Sequence, residues 1–392
     1  MRCFHPSALQ TSRLGSRKTC AHGFAVLIFS LFTAAEASDS IKLASSPAVS
    51  ADGKTLVFAW ADDIWLAATE GGEAKRLTIH PAPDSKPIIA RDGKSVFFNS
   101  VRTGSTQVFR IPITGGTPEQ LTFHTEGSTL DDLHPKKDAI LVTGARDQAG
   151  RRPTRLIEKL FDTTRDETVL FNALAKDGSY SPGGRHVLFV RGGAPTYRKE
   201  YVGPQRARVW LHDLKNGTYE ERVADEGGCR YPVWAPDGLS FYYVTSRKGG
   251  FNIWQHRFGE KHDRQLTDFP NDSVFDPAIS QDSSTIVFRH LMDLYRLSTK
   301  PGSKPEKIDL FHRASLPHPE FETMSIRATR DATVTPSGLE WAFVAEGEIW
   351  AMDTVLKEPN RLTESEAHES DIYFSEKGDF LYYLKDNGIT AN

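Results

Sequence analysis

An all-β propeller of tandem four-stranded blades is the fold this sequence predicts, on three observations. A turn-and-strand unit recurs at the spacing of one blade. A second, aromatic strand motif recurs in step with it. No long window carries the 3.6-residue apolar period of a helix.

The turn-and-strand unit is rich in Asp, Gly, Lys or Pro and runs into an alternating apolar strand. It reads Ser50-Ala-Asp-Gly-Lys-Thr-Leu-Val-Phe58, then Ala90-Arg-Asp-Gly-Lys-Ser-Val-Phe-Phe98. It returns as Ser181-Pro-Gly-Gly-Arg-His-Val-Leu-Phe189 and Ala235-Pro-Asp-Gly-Leu-Ser-Phe-Tyr-Tyr243. Weaker copies start at His134, Ser280, Thr335 and Ser375. The third residue of each copy falls at 52, 92, 136, 183, 237, 282, 337 and 377, giving intervals of 40 to 55 residues. Four short strands and their turns need that length.

The second motif is a β-branched or Leu residue beside an aromatic, as in Ile64-Trp65, Val108-Phe109, Val209-Trp210, Ile253-Trp254, Leu294-Tyr295 and Ile349-Trp350. It fits a third strand whose large ring packs between neighbouring blades. Leu-Thr pairs (Leu77-Thr78, Leu121-Thr122, Leu266-Thr267, Leu362-Thr363) mark the outer strand. Gly71-Gly72 and Gly115-Gly116 supply hairpins between third and fourth strands.

The expected organisation begins with a signal peptide over 1–37. A basic stretch (Arg13, Arg17, Lys18) precedes the apolar run 24–32, and Ala35-Glu-Ala37 offers a cleavage site. That run is too short to span a bilayer, and Cys20 lies before it, against a lipoprotein anchor. Six units then make a propeller over 41–310, a Pro-containing stretch at 311–322 reads as a linker, and 323–392 holds the first one and a half blades of a second propeller. A single eight-bladed ring is the competing arrangement. Because the eighth unit stops after Asn387-Gly388, the chain is expected to be the N-terminal portion of a longer protein, and a truncated, non-functional product is a further reading.

Composition bounds the function. At 39% hydrophobic and 25% charged the chain is neither disordered nor collagen-like. The leader carries Arg2, Arg13, Arg17 and Lys18 against Glu36, so the formal charge of −3 becomes −6 without it. Such a chain has no electrostatic footprint for nucleic acid or an anionic membrane. Only Cys229 lies outside the leader, which excludes an intrachain disulfide there, and it reads as a small buried residue.

No nucleophile elbow, zinc helix, P-loop, dinucleotide fingerprint or C-x-x-C is present, so no catalytic, cofactor or metal residue is assigned. His80 and His124 follow Leu-Thr pairs at equivalent repeat positions and read as structural. The carboxylate pairs Asp62-Asp63 and Asp131-Asp132 read as turn caps at strand ends. Two irregular loops stand out, the insertion 192–206 and the Arg-bearing region 143–171 with Arg146, Arg151, Arg152 and Arg155. Both read as solvated loops, or as loops reaching over a rim or into the channel.

These repeats resemble the TolB-type, WD-repeat-like propellers of bacterial envelope proteins, and more specifically the N-terminal half of tricorn-type serine peptidases. The most specific segments are Tyr197–Trp210, Phe288–Tyr295 and Ala345–Asp353. The resemblance implies a six-bladed propeller that gates peptides, followed by a seven-bladed one and a catalytic region. No catalytic position of that family is matched here. The expectation is a non-catalytic, periplasmic or secreted propeller that binds or passes peptides, with a TolB-like protein-binding scaffold as the alternative. Oligomeric state is left open.

Overall fold

The computed structural model describes residues 39–146, 154–162, 166–193, 201–247, 249–270, 273–314, 316, 329, 331–355, 359–365 and 367–388. The chain divides into two compact units, one up to Ala314 and one from Ser315. Among the described residues every regular element is a strand.

The first unit contains six four-stranded antiparallel sheets, each in simple sequence order from inner to outer strand. Their first strands are Ser45–Val49, Asp84–Ile89, Thr129–Leu133, Lys176–Tyr180, Cys229–Trp234 and Val274–Ile279. Each packs against the first strand of the next blade, and the sixth returns to the first. The result is a closed propeller.

The repeated turn explains itself chemically. In the first blade the Asp52 carboxylate accepts the Lys54 N–H at 3.2 Å, Ser50 Oγ accepts the Thr55 N–H at 2.9 Å, and Gly53 sits at φ +74°. An acceptor three residues before the strand and a glycine able to take positive φ are what this tight hairpin uses. Asp92, Asp237 and Asp282 cap their turns the same way.

The Leu-Thr pair has an equally local cause. Leu121 N–H donates to Val108 O, while Thr122 Oγ1 accepts the Val108 N–H at 2.8 Å and donates to Gln107 Oε1 at 2.7 Å. Thr78 and Thr267 repeat this with Asp63 and Asn252. One hydroxyl thus ties the outer strand to its neighbour and satisfies two buried polar groups. Thr122→Val should therefore cost about 1–2 kcal/mol, because it strands the Val108 N–H and the Gln107 carbonyl. Urea denaturation checks this; an unchanged midpoint would refute it.

Third-strand aromatics pack across blades as their spacing predicts. Phe109 joins Val57 and Ile64 of the first blade, and Trp254 joins Leu188 and Val209 of the fourth. Trp65 of the first blade meets the end of the ring instead. Leu310–His312 pairs antiparallel with Asp39–Ser40 and parallel with Gly72–Glu73, forming a small closing sheet. Phe311 and His312 were expected in a linker; here they are part of this seam. Gly71, at φ +98°, lies so close to Asp309 that a Cβ would come within 2.6 Å of its carbonyl oxygen.

Among its described residues the second unit carries one four-stranded sheet (Ala332–Val334, Glu340–Ala345, Glu348–Asp353, Asn360–Arg361) and one pair, His368–Phe374 with Leu381–Asp386. Ala342, Val344, Ile349 and Ile372 form its core.

Candidate functional site

The six first strands enclose a cavity of about 460 Å³ along the propeller axis. Pro47, Ile88, Pro232 and Pro277 give it apolar wall, while Lys86, Asp131, Asp132, Asp177 and Asp276 give it charge. Drug-sized and peptide-sized ligands occupy spaces of this volume with this mixture of surfaces.

A bulge in every first strand turns side chains toward this space. Pairing skips a residue between Ser45 and Ala48, Ser85 and Ile88, Leu130 and Asp132, Lys176 and Ser179, Arg230 and Val233, and Phe275 and Ala278. In five blades the bulged residue is left-handed without being glycine: Ser46 (φ 48°), Lys86 (47°), Asp177 (51°), Tyr231 (50°) and Asp276 (50°). That conformation is unfavourable for L-residues, and bulges re-aim side chains next to functional sites. Asp371 in the second unit repeats it at φ 52°.

Asp131 takes the corresponding place in the third blade. Its carboxylate accepts from Thr143 Oγ1 and from the Gly178 N–H at 3.2 Å, and Lys86 Nζ lies 3.9 Å away. Asp132 accepts the Tyr180 N–H and the Leu133 N–H, each at 2.8 Å. Burial pushes Asp131 up to about 7 and Asp132 up to about 6.

The expectation for Asp131-Asp132 as solvated turn caps is therefore corrected. The doublet lies within the first strand Thr129–Leu133, and the bulge between Leu130 and Asp132 sets both carboxylates along the cavity. Asp62 and Asp63 behave differently. Asp62 is exposed in a tight turn at φ 63°, while Asp63 is buried against Arg76 at 2.5 Å; burial raises its pKa and Arg76 opposes the rise.

Those of the other singled-out residues that the structure describes lie away from the cavity lining. His80 Nδ1 accepts the Ala82 N–H and His124 Nδ1 the Glu126 N–H, so both close outer turns. Arg146 is buried in an ion pair with Glu167 at 2.8 Å. Arg151, Arg152 and residues 194–200 of the insertion lie outside the described residues. Cys229 is buried and its thiol pushed up by desolvation, unsuited to nucleophilic chemistry. Among the described residues no group of three or more His, Cys, Asp or Glu is placed to hold a metal ion.

Residues 41–303 match the family model of the tricorn protease N-terminal β-propeller domain. The chain belongs to this family. Tricorn protease homolog 1 of Streptomyces coelicolor is 24% identical over 262 residues, 66% of this chain and 24% of that protein. The Tol-Pal system protein TolB of Wolinella succinogenes is 26% identical over 173 residues, 40% of each chain. The crystal structure of the tricorn protease superposes with a TM-score of 0.60 at 16% identity, covering 88% of this chain and 33% of that one. That likeness is one of fold. The chain thus spans about a quarter of the length of the tricorn homologue it matches.

The tricorn-type repeat also carries a signal for the bulged first-strand residues, which with Asp131 form a collar around the cavity. Ser46, Lys86, Asp177, Tyr231 and Asp276 each stand six residues before the turn marker, and four of them precede a proline. The signal is one of position, since the residue types differ from blade to blade.

Proposed function

We propose that this chain is the non-catalytic propeller portion of an exported tricorn-like protein, and that its channel binds or gates peptides. The observation that carries this is the cavity lined by six bulged first strands, where strained backbone aims polar side chains at a partly apolar passage. Extended peptides suit such a space, since carboxylates and ammonium groups can meet the collar while apolar side chains meet the prolines. Export rests on the leader over 1–37, and organisation on a ring at 41–310 with the start of a second propeller after it.

Peptides bearing a photoreactive benzophenone should crosslink to first-strand residues of the full chain. Labelling confined to outer strands would overturn the reading. Purified chain should also leave fluorogenic peptides uncleaved, and turnover that survives purification would refute the non-catalytic part. The TolB relative supports a second reading, a scaffold that docks a protein on one rim. A stoichiometric partner recovered from periplasmic extract, together with no peptide crosslinking, would favour it.

A further inference from the structure

The charges around the collar are nearly matched, and one of them is poised to change. Lys86 faces Asp131 at 3.9 Å and also attracts Asp276, which accepts from Ser46 Oγ at 3.3 Å. Asp177 acts on Asp131, Asp276 and Tyr231. Arg230, over the Phe251 ring at 4.8 Å, acts on Tyr231 and Asp177, and Arg289, over Phe275 at 4.5 Å, acts on Tyr231 and Asp276. Lys176 approaches Asp177 at 4.0 Å from a more solvated position. Asp132 lines the same cavity and is attracted by Arg91, which lines it too. With the four carboxylates Asp131, Asp132, Asp177 and Asp276 ionised, Lys86, Arg91, Arg230 and Arg289 offset them.

We propose that Asp131, held against Lys86, sets the charge preference of the channel: ionised, it leaves the collar near balance; neutral, it leaves a positive collar that favours anionic groups such as a peptide carboxylate. The proposal rests on the channel reading above and adds its selectivity. Burial places Asp131 near pH 7, against the pull of Lys86 and the hydrogen bonds from Thr143 and Gly178. In a narrow passage with low-dielectric walls a single charge acts strongly on what enters, because the field is focused rather than screened.

Ser46 provides the probe position, since it lies on the collar and lines the cavity. The full chain carrying Ser46→Cys would be modified with a sulfonate or a trimethylammonium methanethiosulfonate of similar size. Rates are read at residue 46 by peptide mass spectrometry, so Cys3, Cys20 and Cys229 do not contribute. Both reagents attack the same thiolate, so their rate ratio cancels its ionisation.

The anionic-to-cationic ratio should rise about fivefold or more between pH 8.5 and pH 5.5. Asp131→Asn should remove most of this rise and leave the smaller part that Asp132 and Asp276, both raised by burial, contribute. Thr143→Val, which removes a donor to the ionised carboxylate, should move the midpoint to higher pH and keeps the test alive if Asp131→Asn does not fold. A flat ratio in Ser46→Cys alone, or the same pH dependence with Asp131→Asn added, would overturn the proposal while leaving the channel reading intact. No modification by either reagent would overturn both.

Discussion

Trp65→Ala is expected to cost about 3–5 kcal/mol of folding stability and to open the ring at its seam first. Trp65 is fully buried, and its indole N–H donates to Trp60 O at 2.9 Å. Its ring meets Trp60 at 5.2 Å and His312 at 5.7 Å, both edge-on, and Trp60 Nε1 in turn donates to Lys42 O at 2.8 Å. One side chain therefore touches the first blade and the segment that follows the sixth, and it anchors the residue that holds the N-terminal segment. The closing sheet is only two or three residues wide per strand, so backbone pairing alone holds it weakly. Trp254→Ala, which removes a ring of equal size within the fifth blade, should cost a similar amount without that local effect. Urea denaturation measures the first claim, and amide hydrogen exchange at 310–312 and 39–43 measures the second. Seam amides that exchange no faster in Trp65→Ala than in Trp254→Ala would sink the seam argument.

Much of this architecture was legible because each repeat carries its own local chemistry. The Asp-Gly turn and the Leu-Thr pair satisfy backbone groups within a few residues, so their residue types return often enough to mark the unit. The collar was not legible by residue type, since Ser46, Lys86, Asp177, Tyr231 and Asp276 share a backbone conformation and no side-chain chemistry. Position relative to the turn would have found them. Asp131-Asp132 misled for a related reason. A doublet of carboxylates resembles a turn cap, and only the pairing of the third-blade first strand, with its bulge between Leu130 and Asp132, places it inside the sheet. The seam escaped because Phe311-His312 sits among prolines in sequence, while its pairing partners lie at the other end of the ring.

Folding stability should fall by on the order of 3 kcal/mol between pH 5 and pH 8 through Asp131 alone, and Asp131→Asn should abolish that fall. Burial raises the folded-state pKa of Asp131 to about 7, from the ordinary 3.8. Between those values the unfolded chain has already lost the proton that the folded chain keeps. Rising pH therefore favours unfolding across this window; below it both states are protonated, the slope vanishes and the stabilising contribution is fully present. Asp132, raised to about 6, acts in the same direction. His134 and His212 act oppositely, since burial lowers both and acid must charge them. Asp263 sets a separate acid limit: burial would raise it, but hydrogen bonds from His256, Tyr243 and Arg247 hold it at about 2. The decisive quantity is thus the difference between wild type and Asp131→Asn, in which those other groups cancel. The amide can still accept from Thr143 and the Gly178 N–H, so the substitution mimics the protonated acid at every pH. Urea midpoints at half-unit steps from pH 5 to pH 8.5 should show the variant gaining on wild type as pH rises. Parallel curves would mean that Asp131 titrates as an ordinary carboxylate, and would remove the basis for a collar whose charge changes near neutrality.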